Sequence, residues 1–253
     1  MRNFIYRSLL CAVFVCTGIL AFGQKGKHVT YHVNNQAYEG YFIQPVINEA
    51  DKAPLVLILH DWDGLTDYEI MRAEMLAKEG YQVFAADLFG KGIRPTENKD
   101  RAQHTGELYK DRQKMRAIMN GALATAKKEG SNTTNIAAIG YCFGGAAALE
   151  LARSGAEVKG YASFHGGLGT PEGQNYNNTK GKIIIFHGTA DASITMQDFA
   201  QLAAELEAAK APNEMISYGG APHAFTVFGS PAYRFEADYN SWKRFLSFLK
   251  ECF

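Results

Sequence analysis

The sequence predicts an α/β fold in which a mostly parallel central sheet carries helices on both faces. Short, continuous apolar runs alternate along the chain with segments whose apolar residues recur at helical spacing, and this alternation is typical of βα units. Because the runs are apolar throughout, we expect strands that are buried on both sheet faces. About 47% of the 253 residues are hydrophobic, which is enough for a sizeable core in one domain.

The N-terminal segment differs from the rest of the chain. Arg2 and Arg7 precede an apolar run at about 9–22, which ends in the small-x-small sequence Ala21-Phe22-Gly23. This pattern predicts a secretory signal peptide at 1–23. The run is shorter than the roughly 20 residues of a membrane-spanning helix. We therefore expect export, to a bacterial periplasm, with no stable membrane insertion after cleavage; an uncleaved anchor is the alternative.

The first predicted elements are strands at 29–33 and 38–43, joined by a turn at Asn34-Asn35-Gln36. This is a hairpin signal, so the domain is expected to open with antiparallel strands. The elements that follow alternate: a strand at 55–59, a helix at 69–79, a strand at 83–86, a helix at 105–128, a strand at 136–139, a helix after Cys142, strands at 158–164 and 182–186, a helix at 196–210, a strand at 214–218 and a helix at 233–249. No linker-like segment divides them, so we predict one domain over 24–253.

Charge and composition narrow the class of ligand. Lys and Arg together number 26, as do Asp and Glu, so the formal net charge is zero and nothing favours nucleic acid. We expect a small-molecule substrate, and the sequence leaves monomer and homodimer open. No metal-ligand spacing such as H-x-x-x-H occurs among the strand-end histidines His60, His165 and His187, so we expect neither a metal nor another cofactor.

Polar residues that follow the predicted strands mark the expected site, since open parallel sheets bind ligands outside the carboxyl ends of their strands. They are His60, Asp61, Asp87, Cys142, His165, His187, Asp191 and His223. Of these, we expect His60, His165 and His187 to make structural hydrogen bonds.

The strongest local motif is Gly-Tyr-Cys-Phe-Gly-Gly at 140–145, between an apolar strand and an alanine-rich helix. It matches the strand–turn–helix setting of the G-x-S-x-G nucleophile elbow, with Cys142 in place of serine. The helix N-terminus favours a thiolate, and the backbone N–H of Phe143 is placed to stabilise an oxyanion. Gly140 and Gly144 would avoid collisions with the neighbouring elements. We predict that Cys142 is a nucleophile; a buried cysteine in a glycine-rich turn is the alternative.

Two loops supply partners for this cysteine. Asp191 and His223 each follow a predicted strand, and the chain order of nucleophile, acid and base is that of the α/β-hydrolase fold. His223 would take or hold the thiol proton, and Asp191 would fix the tautomer and orientation of the imidazole.

With these residues in place, the chain resembles the dienelactone hydrolase family. The resemblance rests on His-Asp-Trp-Asp-Gly-Leu at 60–65, Ala-Asp-Leu-Phe-Gly at 86–90, the cysteine elbow at 140–145, and the loops of Asp191 and His223. It covers nearly all of the predicted mature chain. It implies an α/β-hydrolase fold, a Cys-His-Asp triad, and hydrolysis of a small ester or lactone through a thioester acyl-enzyme.

The resemblance also implies roles for four residues outside the triad. The founding enzymes of the family carry a glutamate that contacts the thiol; Asp61 stands in its place, as thiol activator or as a loop-capping carboxylate. The backbone N–H of Trp62 looks like the second oxyanion donor. The founding enzymes hold a substrate carboxylate with arginine, and Lys91 and Arg94 are the candidates here, with solvated loop cations as the alternative.

The sequence leaves other functions open for the same residues. The triad would also serve acyl transfer or peptide hydrolysis. A redox-active thiol and a non-catalytic binding module are further alternatives. After the predicted signal the chain retains two cysteines, Cys142 and Cys252, and a disulfide between them would exclude a free nucleophile.

Overall fold

The computed structural model describes residues 25–253, so the predicted signal peptide lies outside the described residues. Eight strands form one sheet: β1 (Lys27–Val33), β2 (Gln36–Ile43), β3 (Pro54–Leu59), β4 (Gln82–Ala86), β5 (Asn132–Tyr141), β6 (Gly160–Phe164), β7 (Lys182–Gly188) and β8 (Asn213–Tyr218). Their order is β1-β2-β4-β3-β5-β6-β7-β8. The β1–β2 and β2–β4 pairs are antiparallel, and all other pairs are parallel. This is an α/β-hydrolase arrangement, and the predicted fold class is confirmed.

Helices cover both faces of the sheet: α1 (Asp67–Lys78), α2 (Asn98–Lys110), α3 (Arg112–Lys128), α4 (Phe143–Arg153), α5 (Met196–Ala208) and α6 (Phe235–Cys252). The apolar faces of α2 to α5 pack on one side, and those of α1 and α6 pack on the other. Within β3, Leu57 and Leu59 enter the first core cluster, whereas Val56 and Ile58 enter the second. This alternation explains why the central strands are apolar at every position.

The predicted N-terminal hairpin is confirmed. Asn34 and Asn35, with φ of 49° and 65°, form the turn between β1 and β2. Two successive residues with positive φ are what a tight hairpin turn needs, and asparagine adopts this conformation more readily than most residues.

The prediction of one helix at 105–128 is wrong. The structure has two helices, α2 and α3, which meet at Asp111. Asp111 ends α2 and leaves the helical region, with φ −113° and ψ 81°, and its side chain accepts a hydrogen bond of 2.8 Å from the N–H of Lys114. Aspartate stabilises a helix start in this way. The apolar periodicity continues through the break, so it could not reveal the cap.

The parallel strands end on one edge of the sheet, where the loops after β3, β5, β7 and β8 meet. Ligands of such sheets bind at this edge. Across residues 25–253, every helix is too short or too polar to cross a bilayer.

Candidate active site

Cys142 lies at the turn between β5 and α4. Its backbone has φ 51° and ψ −114°, a strained conformation of the kind that occurs at functional sites. A Cβ at Gly140 would lie 2.0 Å from the carbonyl oxygen of Gly144, and a Cβ at Gly144 would lie 2.0 Å from that of Leu59. Only glycine fits at these two positions, so the glycines allow the turn that projects the sulfur beyond the sheet edge.

The structure brings the three predicted triad residues together. The Nε2 of His223 lies 3.1 Å from the Sγ of Cys142, and its Nδ1 lies 2.7 Å from Oδ2 of Asp191. The other carboxylate oxygen of Asp191 accepts hydrogen bonds of 2.9 Å from the N–H groups of Ser193 and Ile194. The carboxylate is thereby fixed in the β7–α5 loop, and it orients the imidazole toward the sulfur.

These contacts determine the charge of the imidazole. Burial alone would lower the pKa of His223, but the hydrogen bonds to Asp191 and Cys142, together with the negative charges there, raise its pKa to about 10. Burial would raise the pKa of Asp191, but its hydrogen bonds with His223 and with the backbone of Ile194 and Ser193 lower it. A carboxylate and an imidazolium therefore stand in line with the sulfur, and an adjacent imidazolium favours the thiolate.

The loop that carries His223, residues 219–234, is anchored by an ion pair that the sequence did not reveal. Arg72 of α1 is buried and forms an ion pair with Asp238 of α6. The same guanidinium donates to the backbone carbonyl of Thr226 at 3.0 Å. The partners lie 154 and 166 positions along the chain from Arg72, so no local pattern could have identified them.

A chain of hydrogen bonds runs from this ion pair to a second histidine. The Nε of Arg72 donates to the Tyr68 hydroxyl at 3.3 Å, and this hydroxyl lies 2.6 Å from that of Thr226. The Thr226 hydroxyl lies 2.8 Å from Nε2 of His165, and the ring centroids of His165 and His223 are 5.4 Å apart. Burial, and then the charge of His223, hold the pKa of His165 well below its usual range. His165 is therefore a neutral neighbour of the triad.

The other two strand-end histidines differ from one another. The Nδ1 of His60 lies 2.6 Å from the carbonyl oxygen of Asp61, and its Nε2 accepts the N–H of Leu88 at 3.0 Å. His60 thus makes the expected structural hydrogen bonds and links the loops after β3 and β4. His187 stacks on Phe199, and neither of its ring nitrogens has a partner within residues 25–253.

Asp61 lies in the loop after β3 and borders the same cavity as Cys142. Its Oδ1 accepts the N–H of Asp63 at 3.0 Å, across Trp62. Burial, then contact with Asp63 and the charge of Glu69, raise the pKa of Asp61 and favour its neutral form. In the described part of the chain no hydrogen bond joins Asp61 to the sulfur of Cys142.

Three carboxyl groups near this loop, those of Asp61, Asp63 and Glu69, each place one oxygen within 4.8 Å of the others. Glu69 already accepts the backbone N–H groups of Asp61 and Thr66, at 3.3 and 2.9 Å. These bonds close the loop onto the start of α1, and we assign the cluster this structural role.

A cavity of about 530 Å³ opens in front of the sulfur. Trp62 and Phe143 border it, and among the described residues no acceptor engages the backbone N–H of either. Phe143 is the first residue of α4, so its N–H has no acceptor within the helix. The sequence did not identify the other main wall residues, which come from separate elements and share no motif: Thr105, Tyr109, Ile194, Ala224 and Val227.

Lys91 and Arg94 do not line this cavity. The ammonium of Lys91 lies 2.8 Å from Glu39 and 2.9 Å from the Thr30 hydroxyl, beside the N-terminal hairpin. The guanidinium of Arg94 donates to the backbone carbonyls of Leu65 and Ile93. The positions of Lys91 and Arg94 therefore do not support the predicted binding of a substrate anion by either residue.

Both described cysteines are free, so the alternative of a Cys142–Cys252 disulfide is contradicted. Cys252, at the end of α6, lies against Gly160 of β6. Burial raises the pKa of its thiol to about 11, which keeps it protonated and unreactive at neutral pH.

Comparisons with known proteins bear on the family and on the fold. The model of the dienelactone hydrolase family matches residues 38–253. A Yersinia pestis protein provisionally named a carboxymethylenebutenolidase is 24% identical over 209 residues, which are 78% of each chain. A Bradyrhizobium protein provisionally named a 2-oxo-3-(5-oxofuran-2-ylidene)propanoate lactonase is 24% identical over 230 residues, which are 86% of this chain and 90% of its own.

Solved structures show the same likeness. A structure named m3DLH is 29% identical, with a TM-score of 0.83, over 90% of this chain and 98% of its own. A dienelactone hydrolase-like promiscuous phosphotriesterase from metagenomic libraries is 27% identical, with a TM-score of 0.81, over the same shares of the two chains.

Proposed function

The chain belongs to the dienelactone hydrolase family of hydrolases, and on that premise we propose that it hydrolyses small carboxylic esters or lactones with Cys142 as nucleophile, His223 as acid and base, and Asp191 as the group that orients His223. The observation that carries the proposal is the 3.1 Å contact between the Cys142 sulfur and the His223 imidazole. It occurs on a strained turn that faces a cavity of suitable size for a small substrate.

The reaction follows from the charges of the site. The thiolate of Cys142 attacks the ester carbonyl carbon, and the N–H groups of Phe143 and Trp62 stabilise the resulting oxyanion. As the carbon–oxygen bond breaks, His223 gives its proton to the leaving alkoxide, and a thioester remains on Cys142. In a lactone the released alcohol stays attached to the acyl group.

The second half restores the enzyme. Water attacks the thioester while neutral His223 accepts one of its protons. The carbon–sulfur bond then breaks, the carboxylic acid leaves, and the imidazolium–thiolate pair is regenerated. Asp191 stays ionised throughout and keeps the Nδ1 proton of His223 directed toward itself.

For Asp61 we propose a positioning role. Its carboxyl accepts the N–H of Asp63 and so closes a turn around Trp62, as aspartate commonly does in loops. That turn sets the direction of the Trp62 N–H, which is the proposed second oxyanion donor. Activation of the thiol is then left to His223, whose ring contacts the sulfur.

The test is hydrolysis of para-nitrophenyl acetate by wild type and by Cys142→Ala and His223→Ala. We expect kcat/KM to fall by about 10³-fold or more in each variant, since both groups act directly in the proposed reaction. Cys252→Ala is the matched control and should keep wild-type rates. Wild-type rates in Cys142→Ala would refute the proposed nucleophile, and a thioester trapped on Cys142 and detected by mass spectrometry would support it.

A further inference from the structure

The cavity in front of Cys142 has a distinctive charge pattern. Two carboxyl side chains, Asp61 and Asp63, form part of its wall. The largest side chains elsewhere in the wall are aromatic or aliphatic, and include Tyr109, Phe143 and Ile194. Within residues 25–253 no lysine or arginine lines the cavity, so the imidazole of His223 is its one basic group.

Two arginines contact aromatic residues of the wall, and both are bound to other groups. Arg101 lies against the ring of Trp62, 5.3 Å from its centroid, and donates to the carbonyl of Pro95 at 3.1 Å. Arg112 stacks on Tyr109, donates to its backbone carbonyl at 2.9 Å, and lies 3.6 Å from the buried carboxylate of Glu150.

Three further cations lie outside the cavity wall and are bound to other groups. Lys91 is paired with Glu39 beside the N-terminal hairpin, and Arg94 is held by backbone carbonyls and by Asp87 at 3.5 Å. Arg72, behind the loop of His223, is paired with Asp238. To bind a substrate anion, any of these groups would have to break existing contacts.

We propose that this cavity binds uncharged acyl groups and excludes esters and lactones that carry a carboxylate on the acyl part. The proposal rests on the proposed function, because it places the acyl group beside Cys142. A carboxylate in this cavity would lose its hydration and would find one cation, the imidazolium of His223, which is already held between Asp191 and the Cys142 sulfur. An uncharged, apolar acyl group loses little hydration free energy when it enters the cavity, and it buries its surface against the aromatic and aliphatic wall.

Three matched esters test the inference, all with para-nitrophenol as leaving group and an acyl chain of one length. The chain ends in a methyl group, in a carboxamide, or in a carboxylate. The carboxamide has the shape of the carboxylate without its charge, so the comparison of the two isolates charge. We expect kcat/KM for the carboxylate ester to be about 100-fold below that of the carboxamide ester, mostly through KM.

Variants check that the wall is responsible. Ile194→Lys places a cation in the wall and should reduce the difference between carboxylate and carboxamide esters by about 10-fold. Ile194→Gln is its uncharged control and should leave that difference unchanged. Arg101→Gln should also leave it unchanged, because Arg101 is not expected to contact the acyl group. A selective loss of the carboxylate ester in Arg101→Gln would identify Arg101 as an anion-binding residue and overturn the proposal.

The outcomes separate this proposal from the proposed function. Equal or faster turnover of the carboxylate ester, abolished by Cys142→Ala, would overturn the charge preference and leave the hydrolase mechanism intact. Cys142-independent turnover would refute the mechanism. In that case binding of the matching para-nitroanilides, amides that hydrolyse far more slowly than the esters, is measured by calorimetry with Cys142→Ala and decides the charge preference: weaker binding of the carboxylate anilide supports it, and equal or tighter binding overturns it.

Discussion

At the scale of single residues, the charge of the site depends on His223. Its contacts with Asp191 and Cys142 raise its pKa to about 10 in the folded protein, against about 6.5 for an unperturbed histidine. The stabilisation that comes from this protonated form is complete below the unfolded pKa and is lost as the pH rises through the folded pKa. At neutral pH the imidazolium of His223 is therefore present beside the sulfur of Cys142.

We expect this charge to be visible in the alkylation of Cys142 by iodoacetamide. At about pH 6 the reaction should be roughly 10-fold faster in wild type than in His223→Gln, because the imidazolium favours the reactive thiolate. The advantage should disappear as the pH rises through about 10, where His223 loses its proton. Both proteins should carry Cys252→Ala, so that a single described thiol is followed. Equal rates at the lower pH would contradict the ion pair.

The sequence located well, relative to the strands and helices, those residues whose chemistry requires a particular local setting. Cys142 follows a strand and precedes a helix between glycines, and Asp191 and His223 each follow a strand in the expected order. Arg94 shows the limit of this approach. Its guanidinium donates to the carbonyl of Leu65, 29 positions upstream, and no loop sequence indicates which of several acceptors a long flexible side chain will find.

At the scale of elements, α1 and α6 support the active site through the Arg72–Asp238 pair. The start of α1 could be recognised from its capping box of Thr66 and Glu69. The buried arginine could not, because helical periodicity ranks charged residues as exposed. Since Arg72 also holds the backbone of Thr226, the pair couples the packing of both helices to the position of the loop that carries His223.

We expect Arg72→Met to lower the free energy of unfolding by about 3–5 kcal/mol, because it leaves the carboxylate of Asp238 buried without its cation. The measurement is urea denaturation followed by circular dichroism. Adding Asp238→Leu should restore most of the loss, since both charges are then removed. Lys52→Met, which breaks an exposed pair with Glu49, is the control and should change stability by less than about 1 kcal/mol. A similarly small loss in Arg72→Met would contradict the structural role of the pair.

At the scale of the whole molecule, one sheet lies between two apolar clusters and belongs to both. Alternate residues of β3 contribute to each cluster, so neither could unfold while the other remained intact. The sequence predicted this arrangement because apolar runs and helical periodicity are global features of a βα chain. It could not predict the break at Asp111, where one side chain ends one helix and begins the next.

We therefore expect residues 24–253 to unfold in one cooperative transition. Tryptophan fluorescence and far-ultraviolet circular dichroism should give coincident urea curves. Trp62 borders the active-site cavity, and Trp242 of α6 packs against the second cluster. Trp62→Phe leaves Trp242 as the one described tryptophan. The urea midpoint of this variant should be the same by fluorescence as by circular dichroism if the cavity side and the α6 side unfold together. Two separated midpoints would instead indicate two folding units.

The turn at Cys142 has a consequence for how different reactions can evolve on the same fold. Its shape is enforced by the missing side chains at Gly140 and Gly144 and by the carbonyls that crowd them, so the main chain specifies a location for a reactive atom without specifying the element. Exchanging sulfur for oxygen would leave the path of the main chain unaltered. A new reactivity can therefore arise from a change at one atom and at its proton acceptor, while the fold that positions them stays the same.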